Sequence, residues 1–356
     1  MFEPQFTYTD KIVNYIAEIA SAKEVIRNAK ILPLYDTKLK QDALIRSSHY
    51  STSIEGNPLN LDEVKTLINN NEKPTTKAEQ EVLNYFNVLN HLDQYSDKVI
   101  TSDTILSVHK ELTKDLLRKS EYEGKFRDTH VFIGNLHTQK INYVPPDAYK
   151  VPGLVDELLD WLNNSTDEIY PVIIAGIIHY ELVRIHPFVD GNGRTSRLMA
   201  TLILSVHKFN INNYFTLDEY YNQDRQAYVD ALHSADKNHD LTNWLEYFCC
   251  GVLYSINKIK SEVLKLSEIT SKYDNTIQLT PNEISVLTLL EEKEHIQNKD
   301  IQKMLNITPQ ASYKIIRKLK NKELIESIGK GRNTEYIIKH SSSTLIINQL
   351  AFFIFN

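Results

Sequence analysis

The run His186-Pro187-Phe188-Val189-Asp190-Gly191-Asn192-Gly193-Arg194-Thr195-Ser196-Arg197 brings together an imidazole, a carboxylate, a glycine-rich turn and two guanidinium groups. Pro187 biases the residue before it away from helical geometry, so a helix arriving from the N-terminal side should stop at His186 and present the imidazole at its mouth. Gly191-Asn192-Gly193 carries little side-chain bulk, and the N–H groups of such a turn can converge on an anion where the next helix begins. Arg194 and Arg197 are three residues apart on that helix's opening turn, where two guanidinium groups can hold successive phosphates by paired hydrogen bonds. Cations at a helix N-terminus are otherwise unfavourable, which calls for a bound anion or a carboxylate partner. Asp190 is the carboxylate of the loop, and an oxygen ligand beside phosphates is what Mg²⁺ requires. The segment lacks the Gly-Lys-Ser/Thr ending of a Walker A loop.

The elements that must position these groups read as helices. Ile12, Ile16 and Ile19 fall at helical spacing, and Glu55-Gly56-Asn57-Pro58 is a stop signal, so residues from about 9 to 70 form a helical N-terminal segment. Two more helices are expected between about 78 and 120. The pattern then changes: Val131-Phe132-Ile133 and Ile141-Asn142-Tyr143-Val144 flank a polar stretch and predict a short hairpin. Pro145-Pro146 opens a helix through Trp161, the apolar stretch 171–185 reads as a central buried helix, and an amphipathic helix starts near Arg194.

With these residues in view, the sequence resembles the Fic family, whose motif His-x-Phe-x-Asp/Glu-Gly-Asn-Gly-Arg-x-x-Arg is matched from His186 to Arg197 at every defined position. The resemblance extends to Gly124-Lys125-Phe126-Arg127, to the hairpin 131–144, which is similar to the family's target-docking flap, and to Tyr143-Val144-Pro145-Pro146. Tyr220, Arg225, Tyr228 and Leu241-Thr242-Asn243-Trp244 continue it, so that it covers most of residues 1–260. It implies a protein adenylyltransferase. His186 would take the proton from a Tyr, Thr or Ser hydroxyl of a protein substrate, which attacks the α-phosphate of ATP and expels pyrophosphate. Asp190 would hold Mg²⁺ between the α- and β-phosphates, the Asn192 side chain and the N–H groups of Gly191 and Gly193 would bind phosphate oxygens, and Arg194 and Arg197 would hold the β- and γ-phosphates. Tyr228 is a candidate adenine contact, though an aromatic at such a position is more often packing. Relatives that phosphorylate depart at the second Gly and the last Arg of the motif; both are present here.

Ser51-Thr52-Ser53-Ile54-Glu55-Gly56 matches the family's inhibitory pattern Ser/Thr-x-x-x-Glu-Gly/Asn. The resemblance implies that Ser51, Glu55 and Gly56 belong to an inhibitory helix preceding the motif, with Glu55 competing for Arg197. Two alternatives remain open: removal of AMP from a modified protein, with Glu55 positioning a water, and a DNA-binding regulator whose core senses nucleotide.

The second alternative comes from the C-terminal third. Residues 280–339 read as helix, helix, tight turn, helix and a two-stranded wing, the winged-helix pattern. Asn306-Ile307-Thr308 is the turn, Ala311, Ile315 and Leu319 are expected inward on the following helix, and Gln310, Tyr313, Lys314 and Arg317 outward. With Lys330 and Arg332 at the wing tip these are candidate DNA contacts. Between 276 and 340 there are 11 Lys/Arg against 8 Asp/Glu, a modest basic bias in a chain of net charge −6. A protein-contact or dimerisation role, including a homodimer, stays open beside it.

The expected architecture is therefore mostly α in four parts: an inhibitory segment (1–75), a Fic helical core with a short β-hairpin flap (76–265), a winged helix-turn-helix (276–340) and an apolar tail of open role (341–356). The start of the chain lacks a basic end followed by an apolar run, so a cytoplasmic protein that does not use a membrane is expected. Cys249 and Cys250 are adjacent, too strained for an ordinary disulfide, and read as buried thiols. His109, His130, His137 and His179 show no metal-ligand spacing and read as structural or surface residues.

Overall fold

The computed structural model describes residues 2–339 except 32, 96–98, 136–139, 165, 167, 208, 210–213, 239, 275–279, 323, 330, 332 and 333. Lys330, Arg332, His137 and the tail 341–356 thus lie outside the described residues. The chain divides into two compact units, one of Met1–Ala29 with Leu39–Val263, the other of Lys30–Lys38 with the chain from Leu264 onward.

The first unit contains α1 (Asp10–Asn28), most of α2 (Pro33–Ile54), α3 (Leu61–Asn69), α4 (Lys77–Asn90) and α5 (Ser102–Thr113). Strands β1 (Ile133–Asn135) and β2 (Lys140–Tyr143) follow, then α6 (Val151–Asn164), α7 (Pro171–Ile185), α8 (Asn192–Val206), α9 (Asp218–Gln223), α10 (Arg225–Asn238) and the first part of α11 (Thr242–Asp274). Local chemistry sets many of the starts. Asn60 with Glu63 and Thr76 with Glu79 form capping boxes on α3 and α4, and Pro171 supplies the fixed φ of a first helical residue on α7. The expected helix after Pro145-Pro146 is delayed, because a 3₁₀ turn at Ala148–Lys150 intervenes before α6.

Nearly every side chain of α7 is buried, and α8 is buried over most of its length, so the two form the centre of the unit. Trp244 of α11 is fully buried and donates its indole N–H to the Gly176 carbonyl of α7 at 2.8 Å. The site loop 186–191 is the connection between these two rigid helices. Strands β1 and β2 pair antiparallel, Ile133 opposite Tyr143, with a register shift after Ile133. The Tyr143 hydroxyl donates to the Arg184 carbonyl at 2.9 Å, tying β2 to the last turn of α7.

The second unit holds α12 (Pro281–Lys293), β3 (Ile296–Gln297), α13 (Asn298–Leu305), α14 (Pro309–Asn321), β4 (Ile325–Ile328) and β5 (Glu335–Ile338). Its core is Val286, Leu290, Ile296, Ile301, Ile316, Leu319, Ile325 and Tyr336. Two details correct the sequence reading. The sheet has three strands in the order β3-β5-β4, because Ile296-Gln297 pairs with Tyr336 and Glu335 and adds a strand to the expected two-stranded wing. The inward stripe of α14 is Ser312, Ile316 and Leu319, one residue round from Ala311 and Ile315, which are only half-buried. Gln310, Tyr313, Lys314 and Arg317 are exposed.

Candidate active site

His186 terminates α7 in a left-handed conformation, φ 52° and ψ 60°. The following proline does remove it from the helical region, but into the left-handed well and not the extended one that sequence favours. Its half-buried ring places Nδ1 3.3 Å from the Val183 carbonyl. A carbonyl can only accept, so Nδ1 carries the proton in that contact and Nε2 keeps a lone pair. Burial lowers the imidazole pKa to about 4 against the opposing pull of the Val183 carbonyl. The ring is therefore neutral near pH 7, the form a general base needs.

Five residues on, Gly191 caps α8 with φ 81°. A side chain there would be strained and would meet Thr113 and His109, which is why the turn takes glycine. α8 starts at Asn192, so Asn192, Gly193 and Arg194 are its opening residues and their N–H groups form its positive end. The Asn192 amide is differently placed from the sequence expectation. Its Oδ1 accepts the Phe188 N–H at 2.8 Å and its Nδ2 donates to the Phe188 carbonyl at 2.9 Å, so in this arrangement it clamps the loop closed and does not face a ligand.

The loop is held from outside by His109 of α5, which is fully buried and stacks on Phe188 with centroids 3.6 Å apart. His109 Nδ1 accepts the Gly124 N–H at 3.0 Å, which fixes the tautomer, and Nε2–H donates to the Asp190 carbonyl at 2.9 Å. Burial holds its pKa down to about 4, consistent with the neutral ring this bracing requires. The Asp190 carboxylate itself is 57% exposed; its Oδ1 takes the Gly191 N–H at 2.6 Å and the Arg194 guanidinium at 3.2 Å.

Both arginines are buried and already have carboxylate partners. Arg194 bridges Asp190 and Glu81 of α4. Arg197 donates from Nε to the Ser51 hydroxyl at 2.7 Å and from its terminal nitrogen to the Ser51 carbonyl at 2.9 Å and to Glu55 Oε1 at 2.8 Å. Asp218 of α9 lies 3.4 Å from Arg197 Nε on a different side chain set. Burial alone would raise the Glu55 pKa; the Arg197 charge and hydrogen bond outweigh it, with help from Arg194 and Arg225, and hold Glu55 ionised. Asp218 shows the opposite balance, burial raising its pKa in spite of Arg197. A Cβ on Gly193 would lie 2.3 Å from Glu55 Oε1. The Glu55 carboxylate therefore sits directly over the opening turn of α8, where an anion belongs, with Gly56 at φ 96° turning the chain away just beyond it.

Tyr228 takes the packing place that was the commoner of the two readings of it. It is buried, its hydroxyl is 2.8 Å from His179 Nε2, and its ring stacks on Tyr221 with centroids 4.5 Å apart, so it belongs to the packing behind Arg197. Sequence reasoning passed over Glu81 and Asp218, and read His109 as a structural or surface residue without its place at the site loop. Glu81 reaches Arg194 across 113 residues, His109 the Asp190 carbonyl across 81 and Asp218 the Ser47 hydroxyl across 171, so no local spacing announces them. Arg127 did carry a signal, the Gly124-Lys125-Phe126-Arg127 run.

The Fic/DOC family model matches residues 99–204, from the start of α5 to the end of the site helix, and the MarR family model matches residues 279–330. Residues 99–204 are a Fic domain. "Protein adenylyltransferase Fic" of Drosophila willistoni is 30% identical over 174 residues, covering 47% of this chain and 33% of that protein. Its Nematostella vectensis counterpart is 30% identical over 172 residues, 46% of this chain and 38% of that protein. The chain thus spans about a third of the length of these curated relatives. Among solved structures, a Fic family protein from Desulfovibrio desulfuricans G20 superposes with a TM-score of 0.66 at 24% identity, covering 95% of this chain and 99% of that one. Fic-1 (aa134 - 508) from C. elegans gives a TM-score of 0.57 at 22% identity over 70% and 71% of the two chains. At these identities the structures speak for the Fic fold alone. The MarR match agrees with the winged helix built around α13 and α14. Among the described residues no helix is long and apolar enough to cross a membrane.

Proposed function

We propose that the chain is a protein adenylyltransferase whose resting state is held inactive by Glu55. The observation that carries this reading is the Glu55 carboxylate lying on Arg197 and over Gly193, close enough for its charge to act on a His186 imidazole whose Nε2 has no partner among the described residues. In the reaction, the opening N–H groups of α8 and the two guanidinium groups bind the ATP phosphates, which requires Arg197 to be released from Glu55. The hydroxyl oxygen of a protein Tyr, Thr or Ser attacks the α-phosphorus, the bond to pyrophosphate breaks, and the hydroxyl proton passes to His186 Nε2. His109 and Asn192 keep the loop rigid during this step, so that the attacking and leaving oxygens stay aligned.

Mg²⁺ fits the residues present. Asp190 is a half-exposed carboxylate at the mouth, and among the described residues no group of three or more His, Cys, Asp and Glu side chains forms a separate metal cage. A single carboxylate plus substrate phosphates is a usual Mg²⁺ set. When bound, the ion would neutralise phosphate charge.

Intact-mass analysis after incubation with ATP and Mg²⁺ tests the reading: an added AMP on Glu55→Gly chain or on a protein of a cell extract is the expected result. If Glu55→Gly adds nothing while the native chain strips AMP from a modified protein, removal is the activity. A second expectation concerns Arg197. Its replacement by alanine would remove the cation beside two carboxylates, Glu55 and the buried Asp218, and cost about 3–5 kcal/mol of stability. Arg197→Lys keeps the charge and loses the fork, so in the Glu55→Gly background it should weaken ATP binding roughly 10-fold. Unchanged affinity by calorimetry would remove Arg197 from the phosphate site.

The exposed Gln310, Tyr313, Lys314 and Arg317 of α14, with the MarR match, support DNA binding by the winged helix as a further role. So few cations can neutralise only a few phosphates, so binding should be weak and fall with salt along a shallow slope. Lys314→Ala/Arg317→Ala should abolish it in a gel-shift experiment at low salt; a chain that shifts no DNA uses this unit for protein contacts.

A further inference from the structure

Arg127 is only 2% exposed, yet its guanidinium is directed at main-chain carbonyls. Nε donates to the His186 carbonyl at 2.8 Å, one terminal nitrogen to Thr129 at 3.1 Å, and the other to Pro146 and to Ile185 at 3.4 Å. Its own N–H donates to the Pro187 carbonyl at 2.9 Å. These acceptors belong to three segments: the end of α7 with the residues after it, the stretch before β1, and the stretch after β2. A helix C-terminus leaves carbonyls without partners and carries partial negative charge, so a buried cation placed there satisfies the carbonyls and is itself stabilised. The second fact is the backbone of His186. A left-handed conformation at a residue other than glycine is strained and persists only where its surroundings over-determine it. Arg127 grips the carbonyls of Ile185, His186 and Pro187, the residue in that conformation and both its neighbours.

We propose that Arg127 is a positioning residue for the transfer step: it holds His186 in its left-handed backbone and fixes the imidazole relative to the β1–β2 hairpin. This rests on the reading of His186 as the general base. Arg127 does not touch the nucleotide cradle, whose loop is closed separately by Asn192 on Phe188 and by His109 on Asp190. Transfer and nucleotide binding should therefore separate when Arg127 is changed.

The test uses the full-length Glu55→Gly chain, with Arg127→Lys and Arg127→Met added singly, and reads three quantities. These are labelled AMP incorporation into cell-extract proteins at saturating ATP, ATP affinity by calorimetry, and the thermal midpoint. Arg127→Met should transfer about 100-fold more slowly, the size of loss expected from an ångström-scale misplacement of a reacting group, and Arg127→Lys measurably more slowly than the parent, both with ATP affinity unchanged. Arg127→Lys keeps the charge and most of the buried stem, so it carries the test if Arg127→Met does not fold, and as the conservative variant it should be the less impaired. Transfer by Arg127→Lys at the parent rate overturns the proposal, and so does a loss of ATP affinity in step with the rate, which would mean general scaffolding. Activity of Glu55→Gly/His186→Ala equal to that of Glu55→Gly would instead refute the base assignment, whatever Arg127 does.

Discussion

Alanine at position 186, in a chain already carrying Glu55→Gly, is expected to lower AMP incorporation by ~10²–10⁴-fold, the contribution of a well-placed general base. ATP affinity should not change, because the groups proposed to bind the phosphates lie on α8 and, among the described residues, the ring bonds only to the Val183 carbonyl. The fold should also survive. Arg127 and the α7–α8 pair set the backbone at 186, and a half-buried ring at the mouth contributes little packing. Alanine meets the left-handed penalty at 186 as histidine does, and the contacts that over-determine that backbone are left in place by the replacement. Incorporation of labelled AMP at saturating ATP reads the rate, and calorimetry reads the affinity. A variant that transfers at the parent rate leaves the proton without an acceptor and removes His186 from the mechanism; one that loses ATP affinity shows that the loop, not the base, was damaged.

Glu55→Gly is expected to raise transfer about 10-fold or more. The carboxylate holds Arg197 by a charge-assisted hydrogen bond of 2.8 Å, and such bonds are worth about 1.5–3 kcal/mol, or roughly 10–100-fold. Glu55 is still 35% exposed, so solvent screening argues for the lower end. Removing the side chain also clears the space over Gly193, where a phosphate oxygen can then reach the opening N–H groups of α8. The gain should persist at saturating ATP, where tighter binding alone cannot raise the rate, and it should require His186. Asp218 stays beside Arg197, so the freed guanidinium does not swing away. A native chain as fast as Glu55→Gly on every acceptor in a cell extract would show that this contact is structural and does not inhibit.

The parts of this site that are contiguous in sequence were readable there. Pro187, the glycines and the two arginines lie within one turn and one helix start, and each has a local physical meaning. The helix boundaries at 185, 305 and 309 were legible for the same reason, since prolines, caps and apolar periodicity act within a few residues. Long-range partners were not. Glu81, His109 and Asp218 look like ordinary residues on amphipathic helices, and only packing brings them to Arg194, Asp190 and Arg197. The Asn192 amide is placed otherwise than expected because the Phe188 backbone claims it first, while the Tyr228 ring packs, with its hydroxyl on His179, as an aromatic at such a position more often does. The third strand of the winged helix, only Ile296-Gln297, is too short to show a period of two.

The way α2 is fastened bears on how fast the resting state can be left. Ser47 donates to Asp218, Arg46 pairs with Glu219, and the Ser51 hydroxyl and carbonyl both accept from Arg197. To withdraw the helix would break all of these, a collective motion of the microsecond-to-second class. Glu55 lies one residue past the last helical position, where Gly56 gives the backbone a left-handed turn and Glu55 leans on a single ion pair. Its side chain can rotate to water through ordinary rotamers in nanoseconds while α2 stays in place. The rate at which the chain becomes competent would then follow whatever biases one torsion angle, such as an acceptor protein offering Glu55 another cation at the mouth, and not the slow opening of the helix.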